Sequence, residues 1–319
     1  MFNMDRLYGA VEARGHVCVG LDTAPEYLPP GERRAASGDA AAVLSFNRAI
    51  IDATVDVAAC YKLQIACYEE LGLEGLRAYS ETLKFLRSRG ALAIADIKRG
   101  DIADTAKRYA GAHFAGEFEA DFVTLSPYMG LDSIEPWLSY VPDRGKGAFV
   151  LVRTSNRGMN DFENLVVERG DADDQKGTGC RSRRLYDVVG EKLKRLAGKY
   201  RGVHGYLAFG AVVGVNGSDP AARDEAARIR KDLSDLFFLV PGYGAQGGAA
   251  EDAAALLVNG NGAVVNASRS ILKAWMDAAR DRGVENAGNG FAAEAARGAV
   301  IEMRDAIRAA VKAAGGAGR

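Results

Sequence analysis

At 319 residues the chain can hold one large domain or two average ones, and its 48% apolar and 26% charged content suits a folded protein with a substantial core. A formal net charge of −1 gives no electrostatic footprint for nucleic acid or an anionic membrane, and no apolar run reaches membrane-spanning length. Four cysteines without CxxC spacing (Cys18, Cys60, Cys67, Cys180) and three scattered histidines (His16, His113, His204) argue against a metal site, and a charged N-terminus without a hydrophobic signal core reads as cytoplasmic.

Eight short apolar runs follow one another along the chain. They are HVCVGLD (16–22), VAACYKLQIA (57–66), ALAIADIKRG (91–100), DFVTLSP (121–127), GAFVLVRTS (147–155), YLAFGAVVG (206–214), FFLVPGYGA (237–245) and GAVVNASRS (262–270). Their lack of alternation suits parallel strands covered on both faces. The segments between them have helical spacing. In LEGLRAYSETLKFLRSRG (73–90), Leu73, Leu76, Leu83 and Leu86 form one stripe that ends at a glycine, and SDPAARDEAARIRKDLSD opens with Ser218 as N-cap and Pro220 in the first turn. Eight strand–helix units predict an α/β fold, a single-domain (β/α)₈ TIM barrel over residues 1–319; a doubly wound open sheet has the same periodicity. Residues 23–40 and 156–181 read as loop insertions after strands one and five, the second placed to act as a lid or surface loop. An alanine-rich helical extension begins at about 285.

Charged residues gather where a parallel barrel places its chemistry, at the C-terminal strand ends. Asp22 closes the first run, Lys62 lies in the second, Asp96 and Lys98 close the third, Ser126 the fourth, RTSN (153–156) the fifth, a glycine-rich turn follows the seventh, and Arg269 follows the eighth. Asp96 and Lys98 are two apart and so share a strand face, with Asp101 three further on and Lys62 on the neighbouring strand. The expected product is an alternating Lys–Asp–Lys–Asp row. A lysine flanked by carboxylates stays protonated, which makes it a poor nucleophile and a well-placed proton donor.

The run ADIKRGDIADT (95–105) resembles the D-x-K-x-x-D-I-x-x-T signature of the orotidine 5′-phosphate decarboxylase family. With Lys62 in YKLQIACYEE, and with LSPYMG, PGYGAQGG and SRS, the similarity runs from about Asp22 to Arg269 and points to the longer bacterial branch. That resemblance implies decarboxylation of orotidine 5′-monophosphate to UMP without a cofactor or metal. Lys98 would protonate C6, Asp96 and Asp101 would face the departing carboxylate, and Lys62 would hold Asp96 and reach the ribose. Asp22 would bond ribose hydroxyls, Ser126 the pyrimidine amide edge, and Gln246 and Arg269 the 5′-phosphate. Asp101 and Thr105 would enter a neighbouring subunit's site, which implies a homodimer. Relatives often carry Gly-Arg where this chain has Ser268-Arg269.

Two rival functions fit less of the sequence. A Mg²⁺-dependent phosphosugar decarboxylase or aldolase of the same superfamily typically has Glu on the second strand, where Lys62 stands here. An inert nucleotide-binding barrel would have no use for an intact charge row. GYGAQG (242–247) matches the dinucleotide fingerprint, but no acidic residue ends the next strand, so a phosphate-binding turn is the better reading.

Overall fold

The computed structural model describes residues 1–168, 183–214, 220–243 and 250–316. Cys180, Ser218, Gln246 and most of the second insertion lie outside them. The eight apolar runs form β1 (Val17–Gly20), β2 (Cys60–Gln64), β3 (Ala93–Arg99), β4 (Phe122–Leu125), β5 (Gly147–Arg153), β6 (Phe209–Val213), β7 (Phe238–Val240) and β8 (Ala263–Ala267). Each pairs in parallel with its sequence neighbours, and β8 closes on β1 through Val17↔Val265. This is a closed (β/α)₈ barrel, so the open-sheet alternative falls away.

Strand alternation divides the core into two. Val17, Val19, Tyr61, Leu63, Ala93 and Ala95 belong to an outer cluster beneath the helices. Cys18, Cys60, Ile94, Phe122, Phe149, Val212, Leu239 and Val264, one from every strand, pack with one another inside the barrel. Two residues further along β2, β3, β4 and β8, on the same pleat, stand Lys62, Asp96, Thr124 and Asn266. The interior therefore changes from apolar to polar within one step toward the C-terminal end. At the other end Met4, Leu7 and Val11 of the helix Asn3–Arg14 join the interior cluster and plug the barrel.

The first insertion is more ordered than its Pro- and Gly-rich composition predicts. It holds a 3₁₀ turn, Pro25–Tyr27, and a short helix, Pro30–Ala35, which starts on a proline and is tied to the next helix by Arg33 and Asp39 at 2.7 Å. Of the leucine stripe on helix Gly72–Ser88, Leu83 and Leu86 are buried but Leu73 is 77% exposed, since it sits in the first turn beyond the packed face. Gly90, just beyond that helix, takes a φ of +67°, a conformation that favours glycine. The helix Pro220–Asp232 begins on its proline. The last helix, Asn289–Gly316, lays Ala292, Ala296, Val300, Met303 and Ile307 inward and packs along the helix Asp39–Thr54. No helix among the described residues is long and apolar enough to cross a membrane.

Candidate active site

The polar layer at the C-terminal mouth is organised around Asp96. Its Oδ1 accepts from Lys98 Nζ at 2.7 Å and Thr124 Oγ1 at 2.8 Å. Its Oδ2 accepts from Lys62 Nζ at 2.9 Å and Gln64 Nε2 at 3.1 Å. Burial alone would raise the pKa of this carboxyl, but the ammonium groups of Lys62 and Lys98 and their hydrogen bonds hold it well below the usual carboxylate range. Burial of Lys62 works against its charge in the same way, and Asp22 and Asp96 outweigh it and raise its pKa. Lys62 Nζ reaches Asp22 Oδ1 at 3.1 Å, and Asp22 Oδ2 accepts from Ser268 Oγ at 2.8 Å.

The alternating row is thus Lys98–Asp96–Lys62–Asp22. Within the protomer its second carboxylate is Asp22, which spacing along β3 did not foresee; Asp101 stands outside the row of its own protomer. The β1–β2 register, with Gly20 opposite Lys62, brings the residues just beyond β1 to the lysine. Asp101, past the turn at Gly100, accepts from the backbone N–H of Ile102 at 2.8 Å and has no ion pair among the described residues.

Simple alternation does not account for the position of Lys98. The β3–β4 register slips between Ala95 and Arg99, and Lys98 takes a φ of +44°, a strained conformation for a residue with a side chain. Thr124 Oγ1 holds this bulge: it accepts from the backbone N–H groups of Ile97 and Lys98, both at 3.0 Å, while donating to Asp96. Strain of this kind, fixed by a buried hydroxyl, is the sort that collects at functional sites. Thr124 was not among the residues expected from sequence. Its signal was its place two residues beyond Phe122, on the inward pleat.

Lys98 forms the open end of the row. Its side chain is 49% exposed, against 6% for Lys62. It borders a cleft whose near wall is Lys62, Asp96 and Thr124 and whose far wall is Thr154, Ser155 and Asn156, with Val212 and Leu239 as apolar lining. The far wall is the RTSN run. Buried Arg153 anchors it, donating to the carbonyls of Thr154 (3.1 Å) and Gly214 (3.0 Å) and to Glu225 (3.0 Å). From the second insertion Glu163 accepts the Thr154 N–H at 2.7 Å. Ser126 does not line the cleft; its N–H donates to the Arg99 carbonyl at 2.8 Å. Arg269, exposed at the start of the helix Arg269–Leu272, makes no side-chain hydrogen bond or ion pair with another described residue. Thr105 is exposed on the helix that follows β3, Ala103–Phe114. Gln246 falls outside the described residues.

A half-exposed ammonium fixed beside a carboxylate, over a cleft with one apolar and one polar side, can stabilise negative charge on a ligand atom and then protonate it. Among the described residues no group of three or more His, Cys, Asp or Glu converges as a metal site would.

Comparison with known proteins identifies the family. Residues 15–282 match the model of the Orotidine 5′-phosphate decarboxylase / HUMPS family. The chain is 51% identical over 307 residues to the orotidine 5′-phosphate decarboxylase of Clostridium perfringens (strain 13 / Type A), covering 96% of this chain and 98% of that protein. Among solved structures it is similar to Leishmania donovani OMP decarboxylase, with a TM-score of 0.68, 32% identity, and 98% and 99% of the two chains covered. It also matches Leishmania donovani UMP synthase with a TM-score of 0.70 and 34% identity, covering 97% of this chain and 57% of that longer one.

Proposed function

This chain belongs to the orotidine 5′-phosphate decarboxylase family, and from that premise we propose how its charge row serves the reaction. The protein decarboxylates orotidine 5′-monophosphate to UMP, a step of pyrimidine biosynthesis. The observation that carries the residue assignment is the row Lys98–Asp96–Lys62–Asp22, whose open end is an ammonium beside the cleft.

Breaking the bond from C6 to its carboxylate leaves an electron pair on C6 that the pyrimidine ring cannot delocalise. The Lys98 ammonium stabilises that charge as it develops. It then delivers a proton to C6, forming the C–H bond of UMP, and regains one from solvent. Asp96 holds Lys98 in place and keeps it charged, and its negative charge opposes the substrate carboxylate that must leave. Lys62 neutralises the buried side of Asp96 and reaches toward the ribose, whose hydroxyls Asp22 receives. The base meets the polar wall at Thr154, Ser155 and Asn156, which lines the cleft where Ser126 does not. Arg269, without an anionic partner among the described residues, grips the 5′-phosphate together with Gln246, so that binding energy remote from C6 supports the reaction. The carboxylates of the row are committed to lysines, which favours chemistry by the chain's own charges over chelation of Mg²⁺. Conversion of orotidine 5′-monophosphate to UMP by purified protein at an undiminished rate in EDTA is the expected result; turnover only with added Mg²⁺ would favour a phosphosugar enzyme of the same superfamily.

The working unit is a homodimer with shared sites. Among the described residues Asp101 and Thr105 have no partner side chain, and Ile102, Tyr128 and Met129 expose apolar surface on the adjoining loops. Mixing inactive Lys98→Ala and Asp101→Ala proteins tests this. A shared site predicts recovery of about a quarter of wild-type activity, because half the dimers are mixed and each has one intact site. No recovery would place each site within a single chain.

A further inference from the structure

Ser268 stands immediately beyond β8, and its hydroxyl meets Asp22 Oδ2 at 2.8 Å. A carboxylate only accepts, so Ser268 commits its single proton to Asp22. The hydroxyl lone pair faces Asn266 Nδ2 at 3.4 Å, an amide nitrogen that donates. The polarity of the chain is therefore fixed: Asn266 donates to Ser268, and Ser268 to Asp22. This leaves Asn266 Oδ1 buried without a hydrogen-bond partner among the described residues, pressed against β1.

Space for the hydroxyl comes from Gly20. A Cβ there would lie 2.0 Å from Ser268 Oγ and 3.0 Å from Asn266 Oδ1. Gly20 does not adopt the left-handed conformation, so its missing side chain serves room rather than backbone freedom. Without Ser268, the one remaining side-chain partner of Asp22 among the described residues would be Lys62, at 3.1 Å from one carboxylate oxygen and 3.5 Å from the other. A single ammonium so placed leaves the carboxylate free to rotate about its terminal torsion, which is broad for aspartate.

We infer that Ser268, backed by Asn266, is a positioning residue that locks the Asp22 carboxylate in the orientation that completes the pairing of Lys62 and presents a lone pair to a substrate hydroxyl. The inference rests on the binding role proposed for Asp22.

The test is steady-state kinetics with orotidine 5′-monophosphate and equilibrium binding of UMP for Ser268→Ala, Ser268→Thr, Asp22→Asn and the double variant Asp22→Asn/Ser268→Ala. Loss of a hydrogen bond to a charged group predicts that Ser268→Ala raises KM and the UMP Kd roughly tenfold, with kcat within about twofold. Ser268→Thr, which keeps the hydroxyl, restores most of the affinity. In the Asp22→Asn background, removal of Ser268 costs less than about twofold, because the carboxylate charge it orients toward Lys62 and the substrate is gone. An unchanged KM in Ser268→Ala, or the same loss with and without the Asp22 carboxylate, overturns the inference while leaving Asp22 in its role. An unchanged KM in Asp22→Asn has a different signature: it refutes the role of Asp22 itself, and the inference falls with it.

Discussion

Among the described residues two lysines are buried, one at each end of the barrel. Lys146 precedes β5 at the closed end, where its ammonium meets Glu119 at 2.9 Å and the Ala120 carbonyl at 2.8 Å. Lys62 lies on β2 at the open end between Asp22 and Asp96. Both are almost fully enclosed, at 6% and 5% exposure, and both are paired, so burial and pairing do not distinguish them. The difference lies in where the network ends. Around Lys146 the Glu119 carboxylate is shared with Arg87 at 3.7 Å, a half-exposed surface side chain, and neither residue lines the cleft described above. Around Lys62 each carboxylate is shared onward, Asp22 with Ser268 and Asp96 with Lys98, and the last member faces a cavity. A buried ion pair is a structural device by default; it becomes a candidate for chemistry when an incomplete end of the network is left open to a ligand.

Substitution at the centre of the row should separate the two ends most sharply. Asp96→Asn leaves two ammonium groups without their common anion. Turnover is expected to fall by roughly 10³- to 10⁴-fold, with about 3–5 kcal/mol lost from stability in urea unfolding. Lys146→Met should cost about 3 kcal/mol by the same measurement yet leave kcat and KM at wild-type values. A loss of turnover there beyond the loss of folded protein would break the comparison. Arg269→Ala should raise KM about 100-fold with little effect on folding, since its guanidinium leaves no partner behind among the described residues. A normal KM would remove it from phosphate binding.

A smaller effect comes from a third buried group, His113. Burial, and then the nearby Arg99 charge, lower its pKa from 6.5 to about 4. Between those values the unfolded chain takes up a proton that the native state refuses, so stability falls as pH drops from 6.5 toward 4. The loss is roughly 2–3 kcal/mol, and His113→Gln should remove it, leaving the share of His16, whose pKa burial also lowers from 6.5. The charge row adds no slope in that window: Asp96 is held below the carboxylate range, so its contribution is complete above the unfolded carboxyl pKa near 4 and is lost only at lower pH. An undiminished slope in His113→Gln between pH 6.5 and 4 would point to another titrating group.

The barrel was legible because each strand is a short apolar run closed by polar residues, a pattern that parallel strands under helices require. Asp96, Lys98 and Lys62 were legible for the same reason, as charges where apolar strands end. What the sequence hid depends on register. Asp22 joins the row because β1 and β2 align Gly20 with Lys62, whereas spacing along β3 favoured Asp101. The bulge at Lys98 has no local signature, since a lysine has no preference for positive φ, and so the hydroxyl of Thr124 that stabilises it went unseen. Thr124 and Asn266 could have been found by counting two residues on from Phe122 and Val264. Arg153 and Glu163 show that RTSN is an anchored wall, a role set by contacts with distant segments rather than by the motif.

The central claim is that the Lys98 ammonium acts on C6 while the rest of the row holds it there. The most direct test compares turnover of orotidine 5′-monophosphate and UMP affinity in wild-type protein and Lys98→Ala. The account predicts a fall in kcat of roughly 10⁴-fold or more, with UMP binding changed by no more than about tenfold. Turnover within about tenfold of wild type in the variant would contradict it and move the proton donor elsewhere.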